Sequence, residues 1–171
     1  LTSITIPDSV TRIEDNVFFG CASLTSIKIP KSVTIIGKGS FGRTGLTSID
    51  IPDSVTSIGE RAFFSCRSLT SIIIPDTVTS IGNRVFDACT SLPNIEIVES
   101  NMHYSDIDGV LFNKQQTKMI AYPIGKQKKV EYIIPDSVTN IGEYAFYGIN
   151  RLTSIIIPDS VTNIGEYAFY G

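Results

Sequence analysis

Leucine, isoleucine, valine and phenylalanine recur along this chain in one fixed cycle. The stretch Leu69-Thr-Ser-Ile-Ile-Ile-Pro-Asp-Thr-Val-Thr-Ser-Ile-Gly, closing with Val85-Phe86 and Cys89, states it in full. Its opening leucine stands at Leu1, Leu24, Leu46, Leu69, Leu92 and Leu152, in steps of 23, 22, 23, 23 and then 60 residues. The proline of the cycle stands at Pro7, Pro30, Pro52, Pro75, Pro135 and Pro158. A fixed period of this length marks stacked supersecondary units, a solenoid or a propeller.

Each unit reads L-x-x-I-x-I-P-x-x-V-x-x-I-G-x-x-A/V-F-x-x-C. The first residues alternate with period two and predict a strand. Proline ends it, having no N–H to give to a ladder. A second extended piece carries the valine and the next isoleucine, as at Val10 to Ile13. Gly59, Gly82, Gly142 and Gly165 follow that isoleucine, where a permissive backbone suits a sharp corner. A single helical or 3₁₀ turn is expected next, as at Glu60-Arg61-Ala62-Phe63, with Ala and Phe facing inward. One such coil cannot bury enough apolar surface to hold itself together, so stability must come from pairing with its neighbours. The phenylalanine slot should matter most, and Phe63→Ala is expected to cost ~3–5 kcal/mol.

The departures from the cycle are informative. Repeat two is one residue short, which predicts a tighter convex turn around Lys38-Gly39-Ser40. Repeat five, from Leu92, has Val98 in the proline place, and the pattern then lapses over about 98–129. There Val110-Leu111-Phe112 and Met119-Ile120-Ala121-Tyr122 flank the polar run Asn113 to Lys118, after the turn dipeptide Asp108-Gly109. This is a β-hairpin signal, read as an island that either projects from the solenoid or packs along it. Lys129 stands where leucine is expected, which makes the coil after the island the weakest link unless Val130 takes the slot through a bulge. Residues 133–148 recur unchanged as 156–171, a duplicated unit. The chain thus reads as one solenoid, 1–171, with repeats beginning near 1, 24, 46, 69, 92, 129 and 152. Opening on an anchor leucine and stopping within a repeat, it is expected to be a piece of a longer array.

Composition narrows the function classes. With 42% hydrophobic and 18% charged residues the chain is too apolar for disorder. A net charge of −3 gives no general attraction to nucleic acid or anionic membrane. The longest apolar runs, such as Ile72-Ile73-Ile74, are too short to cross a bilayer. Cys21, Cys66 and Cys89 each follow a repeat phenylalanine by three places, in a register that elsewhere holds Thr44 and Ile149. A slot that accepts Cys, Thr or Ile is a packing site, and an odd count argues against a disulfide framework.

Laid out in this way the repeat resembles the leucine-rich repeat superfamily, and most closely the BspA-like class, or Treponema pallidum type. Leu69, Ile72, Ile74, Pro75, Val78, Ile81, Gly82, Phe86 and Cys89 carry the likeness. Within the irregular stretch, Tyr104, Asp108 to Phe112, Lys114 and Tyr122-Pro123 resemble a hairpin segment found between such repeats. The resemblance implies a right-handed leucine-rich-repeat coil or horseshoe with a parallel concave sheet, short convex strands and 3₁₀ or helical turns, interrupted by one hairpin. It also implies cell-surface or secreted proteins that adhere to host or matrix proteins. One departure is that Ser9, Ser54 and Thr77 hold the register of the superfamily's asparagine, so their hydroxyls are expected to bond the turn.

The alternate first-strand positions should face solvent on the concave side. One column is mostly serine (Ser3, Ser26, Ser48, Ser71); the other varies, as Thr5, Lys28, Asp50, Ile73, Glu96, Ile133 and Ile156. A varied column on a fixed frame is what a recognition strip shows, and also what unconstrained surface shows; exposed isoleucines favour the first. Tyr144, Tyr147, Tyr167 and Tyr170 read as interface residues or as a half-buried flank. A lone histidine, His103, offers neither a triad nor a metal set. Asp106-Ile107-Asp108-Gly109 lacks the further oxygens of a calcium loop and reads as a turn. The basic run Lys126-Gln127-Lys128-Lys129 is a polyanion contact or a solvated connection. No catalytic, cofactor or metal residues are assigned. The expected function is non-enzymatic recognition of a protein or glycan, or else a spacer with no ligand of its own. A last coil left with an open edge could also pair with a second copy of the chain.

Overall fold

The computed structural model describes residues 1–126 and 131–171. The chain is a mainly β solenoid, with no helix among those residues. Its strands are β1 (Arg12–Ile13), β2 (Ile35–Ile36), β3 (Ser57–Ile58), β4 (Ile73–Ile74), β5 (Ser80–Ile81), β6 (Glu96–Ile97), β7 (Tyr104–Ile107), β8 (Val110–Asn113), β9 (Lys118–Ala121), β10 (Glu131–Ile133), β11 (Asn140–Ile141), β12 (Ser154–Ile156) and β13 (Asn163–Ile164). Most are two or three residues long because in most coils proline closes the first strand and glycine the second.

Second strands of the first four coils form a four-stranded ladder, β1-β2-β3-β5, parallel and in register. First strands pair in parallel as β4 with β6 and β10 with β12, with a further bridge between Thr5 and Lys28. Phe18, Phe41, Phe63 and Phe86 stack as a spine, ring centroids 5.4, 5.6 and 6.0 Å apart. Each sits under the isoleucine column, and the resulting apolar core runs through the first four coils.

The corner after the glycine is not helical. Outside the island coil, each corner carries two left-handed residues four places apart, such as Arg61 and Ser65 at φ 56° and 58°, or Arg84 and Ala88 at 61° and 58°. Left-handed residues cannot continue a right-handed helix, so the segment is a chain of tight turns, with Phe64 N–H donating to Arg61 O and Cys66 N–H to Phe63 O. The repeat glycines are not among those with positive φ. They are needed because the preceding coil is so close: a Cβ on Gly59 would lie 2.6 Å from Lys38 N, and one on Gly82 2.3 Å from Glu60 N. Close approach, rather than backbone freedom, is the reason for glycine here.

The short repeat two also departs from expectation. Its convex corner is of normal length, since Gly39 and Phe41 N–H donate to Glu60 and Ala62 as in other coils. The missing residue is on the return path, where Gly45 alone connects Thr44 to Leu46 and a Cβ would meet Ala22 O at 2.2 Å.

The island is built into the stack. Strands β7, β8 and β9 form an antiparallel meander that joins the sheet of β11 and β13 through the parallel pair β9–β11. Met119 thus takes the isoleucine slot, and Gly142 N–H donates to Met119 O at 2.8 Å, as Gly82 does to Ile58. Tyr122 takes the phenylalanine slot, stacked on Phe146 at 5.4 Å. Strand β8 is buried on both faces: Leu111 enters the first core, Val110 and Phe112 a second core around Tyr122, Tyr132 and Phe146. The expectations placed on Lys129 and Val130 lie outside the described residues.

Candidate functional site

All seven residues of the varied concave column are exposed in the structure; inward neighbours in the middle of the array, such as Ile49, Ile51, Ile72, Ile74 and Ile95, are buried, whereas those of Thr5 and Ile156 at its two ends are not. Lys28 and Asp50 line an open groove of about 950 Å³ together with Ser3, Ser26, Asp8 and Lys31. Asp50 and Ile73 share a second groove with Ser48 and Ser71. Ile73 pairs with Glu96 across β4–β6, and Ile133 with Ile156 across β10–β12. The island divides the column at this point, because the Asp108-Gly109 turn occupies the edge of β6, with Ile95 N–H donating to Gly109 O at 2.9 Å. The first five residues therefore make one run and the two isoleucines another. Lys28, Asp50 and Glu96 form no ion pair among the described residues, whereas Lys38–Glu60 and Arg84–Asp87 do.

The remaining candidates have structural tasks. Asp106 accepts from Ile97 and Gly109 N–H, at 3.0 and 3.2 Å. The Lys126 ammonium holds Asn94 and Asp108, which commits the one described member of the basic run. His103 is exposed beside Asn101, which accepts its N–H at 2.8 Å. Among the described residues no group of three or more His, Cys, Asp or Glu is arranged to hold a metal ion. The three thiols are free, and burial raises those of Cys66 and Cys89 above the ordinary range, most strongly Cys89. Cys66 Sγ donates to Phe41 O and Cys89 Sγ to Phe63 O, at 3.0 and 3.1 Å.

Serine and threonine in the asparagine register bond a turn, but that of the coil before. Ser32, Ser54, Thr77 and Ser160 donate to the carbonyls of Val10, Val33, Val55 and Val138 at 2.6–2.9 Å. In repeat five Ser100 holds that register and donates to Asp76, while Asn101, at the valine place, is fully buried. Its amide donates to Pro75 and Val78 carbonyls and its oxygen accepts from His103 and Tyr104 N–H. Sequence reading passed over this asparagine because the proline three places before it, which marks the register, is replaced by Val98. Tyr104, named above within the hairpin segment, closes the edge of β5, its hydroxyl accepting from Ile81 N–H at 2.9 Å.

A notch opens on the convex side between coil four and the coil of β11. The island coil runs from Met119 to Tyr122 in three steps, where a regular coil takes five from Ile58 to Phe63, so the island coil has no corner. Two side chains reach across the gap. Asn83 donates to Glu143 at 2.8 Å, and the Arg84 guanidinium lies 4.5 and 4.4 Å from the rings of Tyr144 and Tyr147 while pairing with Asp87 at 2.7 Å. Burial keeps the Asp87 carboxyl above its ordinary range in spite of that partner. Tyr144 and Tyr147 are half-buried and stacked on Tyr167 and Tyr170, a flank in this chain.

The sequence matches the BspA type leucine rich repeat region, in six copies over residues 1–118 and 125–171. No curated protein shows significant similarity. Among solved structures, a leucine-rich repeat protein from Eubacterium ventriosum is 28% identical with a TM-score of 0.86, over 100% of this chain and 51% of that one. The pneumococcal vaccine antigen PcpA is 27% identical with a TM-score of 0.79, over 98% of this chain and 48% of its own. A leucine rich cell surface protein from Faecalibacterium prausnitzii is 31% identical with a TM-score of 0.74, over 99% of this chain and 58% of its own. This chain therefore spans about half the length of the structures it resembles. Repeat register, spine and matched signature agree: the chain belongs to the BspA-type leucine-rich repeat family.

Proposed function

We propose that this chain is a non-enzymatic recognition module of a cell-surface or secreted protein, and that it takes a protein or glycan partner on its concave column. The observation that carries this reading is the exposed run Thr5, Lys28, Asp50, Ile73 and Glu96, varied in chemistry on a frame whose neighbouring column is mostly serine. Its charged groups form no ion pair among the described residues, so a partner gains them without first breaking one. Exposed isoleucine adds apolar area that favours an interface, with Ile73, Ile133 and Ile156 exposed by 54%, 62% and 45%. An extracellular setting is supported by relatives described as a cell surface protein and a vaccine antigen.

The test is biosensor binding to immobilised matrix proteins and glycans, comparing the chain with a Lys28→Ala/Asp50→Ala/Glu96→Ala variant. Binding that falls at least tenfold in the folded variant places recognition on the column. Equal binding by both moves recognition elsewhere, and binding by neither leaves the spacer reading.

A further inference from the structure

Each intact corner gives three backbone N–H groups to the coil that follows. Those of Asn16, Phe18 and Gly20 donate to Lys38, Ser40 and Gly42 carbonyls, each at 2.8 Å. Gly39, Phe41 and Arg43 donate to Glu60, Ala62 and Phe64 at 2.9, 2.9 and 2.7 Å. Arg61, Phe63 and Ser65 donate to Asn83, Val85 and Asp87 at 3.0, 3.1 and 2.7 Å, and Tyr144, Phe146 and Gly148 to Glu166, Ala168 and Tyr170 at 3.1, 2.8 and 2.8 Å. Coil four breaks the rule. The N–H groups of Arg84, Phe86 and Ala88 have no acceptor among the described residues. Beyond the β9–β11 pairing, the island coil gives the coil of β11 a single backbone N–H among the described residues, Tyr122 to Ala145 O at 2.8 Å, and the Glu143 and Tyr147 carbonyls accept nothing from the described residues.

Partly buried backbone groups without partners are rare, and a row of them is a template for another chain. We propose that this notch is a docking slot for an extended peptide segment with small side chains and one acidic residue, whose backbone completes the ladder left open by the missing corner. The other four corners show which ligand chemistry fits, since at each of them three alternate N–H groups meet backbone carbonyls. A peptide also has N–H groups for Glu143 and Tyr147, which an inorganic anion lacks. The free volume of about 140 Å³ limits the side chains to small ones. Lys118, which lines the notch and has no ion partner among the described residues, selects the acidic residue. Addition of a strand to an open ladder is a general mode of peptide recognition, and this slot is independent of the concave column.

The experiment uses the ¹⁵N-labelled 171-residue chain. In amide exchange, Arg84, Phe86 and Ala88 are expected to exchange at least a hundredfold faster than Arg61, Phe63 and Ser65; equal protection means the notch is closed and overturns the proposal. The probe peptide acetyl-Ala-Asp-Ala-amide is then titrated to tens of millimolar, with acetyl-Ala-Lys-Ala-amide as its counterpart. Downfield shifts confined to those three amides, with at least threefold weaker binding of the lysine probe, support the slot. Loss of that preference in Lys118→Gln supports the acidic assignment. No shift would mean that water alone fills the notch, and equal binding of the two probes would remove Lys118 from the site; either result overturns the proposal as stated.

Discussion

Residues 133–148 and 156–171 are identical in sequence but not in environment. Phe146 lies between Tyr122 and Phe169, at 5.4 and 5.1 Å, and is 2% exposed, whereas Phe169 has Phe146 on one side only and is 41% exposed. Ile141 is fully buried, and its copy Ile164 is 50% exposed. Local propensity, capping and charge are the same in both, so the difference comes entirely from the neighbouring coil. In a stacked architecture burial is a property of the contact between units, and the slot sequence only makes a coil eligible for it.

The strongest way to break this comparison is to make one substitution in both copies. Phe146→Ala is expected to cost ~3–5 kcal/mol and Phe169→Ala less than half as much, from urea midpoints. Equal losses would show that the spine phenylalanine acts within its own coil. Glycine should behave in the opposite way, because its constraint comes from the coil before, which both copies have. A Cβ on Gly142 would lie 2.7 Å from Met119 O and one on Gly165 2.5 Å from Glu143 N, so each Gly→Ala change is expected to cost ~1–3 kcal/mol, and similarly in both.

Two predictions test what lies beneath the first copy. Burial raises the titration of Cys66, Cys89, Tyr104, Tyr122 and Tyr132 in the folded chain. The unfolded chain therefore loses these protons first as pH rises. Their contribution is intact below about pH 8.5 and falls by up to ~1.4 kcal/mol per pH unit for each group that is ionised only when unfolded. Melting temperature should drop steeply between pH 9 and 11, and a flat profile would contradict the buried placement. The smallest effect concerns Tyr122, whose hydroxyl is buried without a hydrogen-bond partner among the described residues. Tyr122→Phe restores the residue usual in that slot and is expected to stabilise by ~1 kcal/mol, seen as a higher urea midpoint.

Much of the fold was legible because the anchors Leu, Ile, Val and Phe are repeated often enough to average out local exceptions. The second-strand ladder, the spine and the packing role of the cysteines follow from that repetition. The corner was misread as helical because left-handed φ at Arg61, Arg84 and Tyr144 leaves no mark on residue type. The island's hairpin was legible, but its place in the stack was not, since Met119 and Tyr122 do the work of Ile and Phe under different names. Comparing the three steps from Met119 to Tyr122 with the usual five would have exposed the missing corner. The concave column was read from period-two alternation; its division by Asp108-Gly109 depends on a tertiary contact that no periodicity encodes.

The backbone hydrogen bonds between successive corners all run one way, from the N–H groups of one coil to the carbonyls of the next. This gives the array a polarity, with unlike faces at its two sides. A coil duplicated in tandem presents its acceptor face to its own parent's donor face, so the copy arrives with its junction already solved, as 133–148 and 156–171 illustrate. Such a protein can change length by whole coils through simple genetic repetition, and each added coil extends the concave column by one freely variable position.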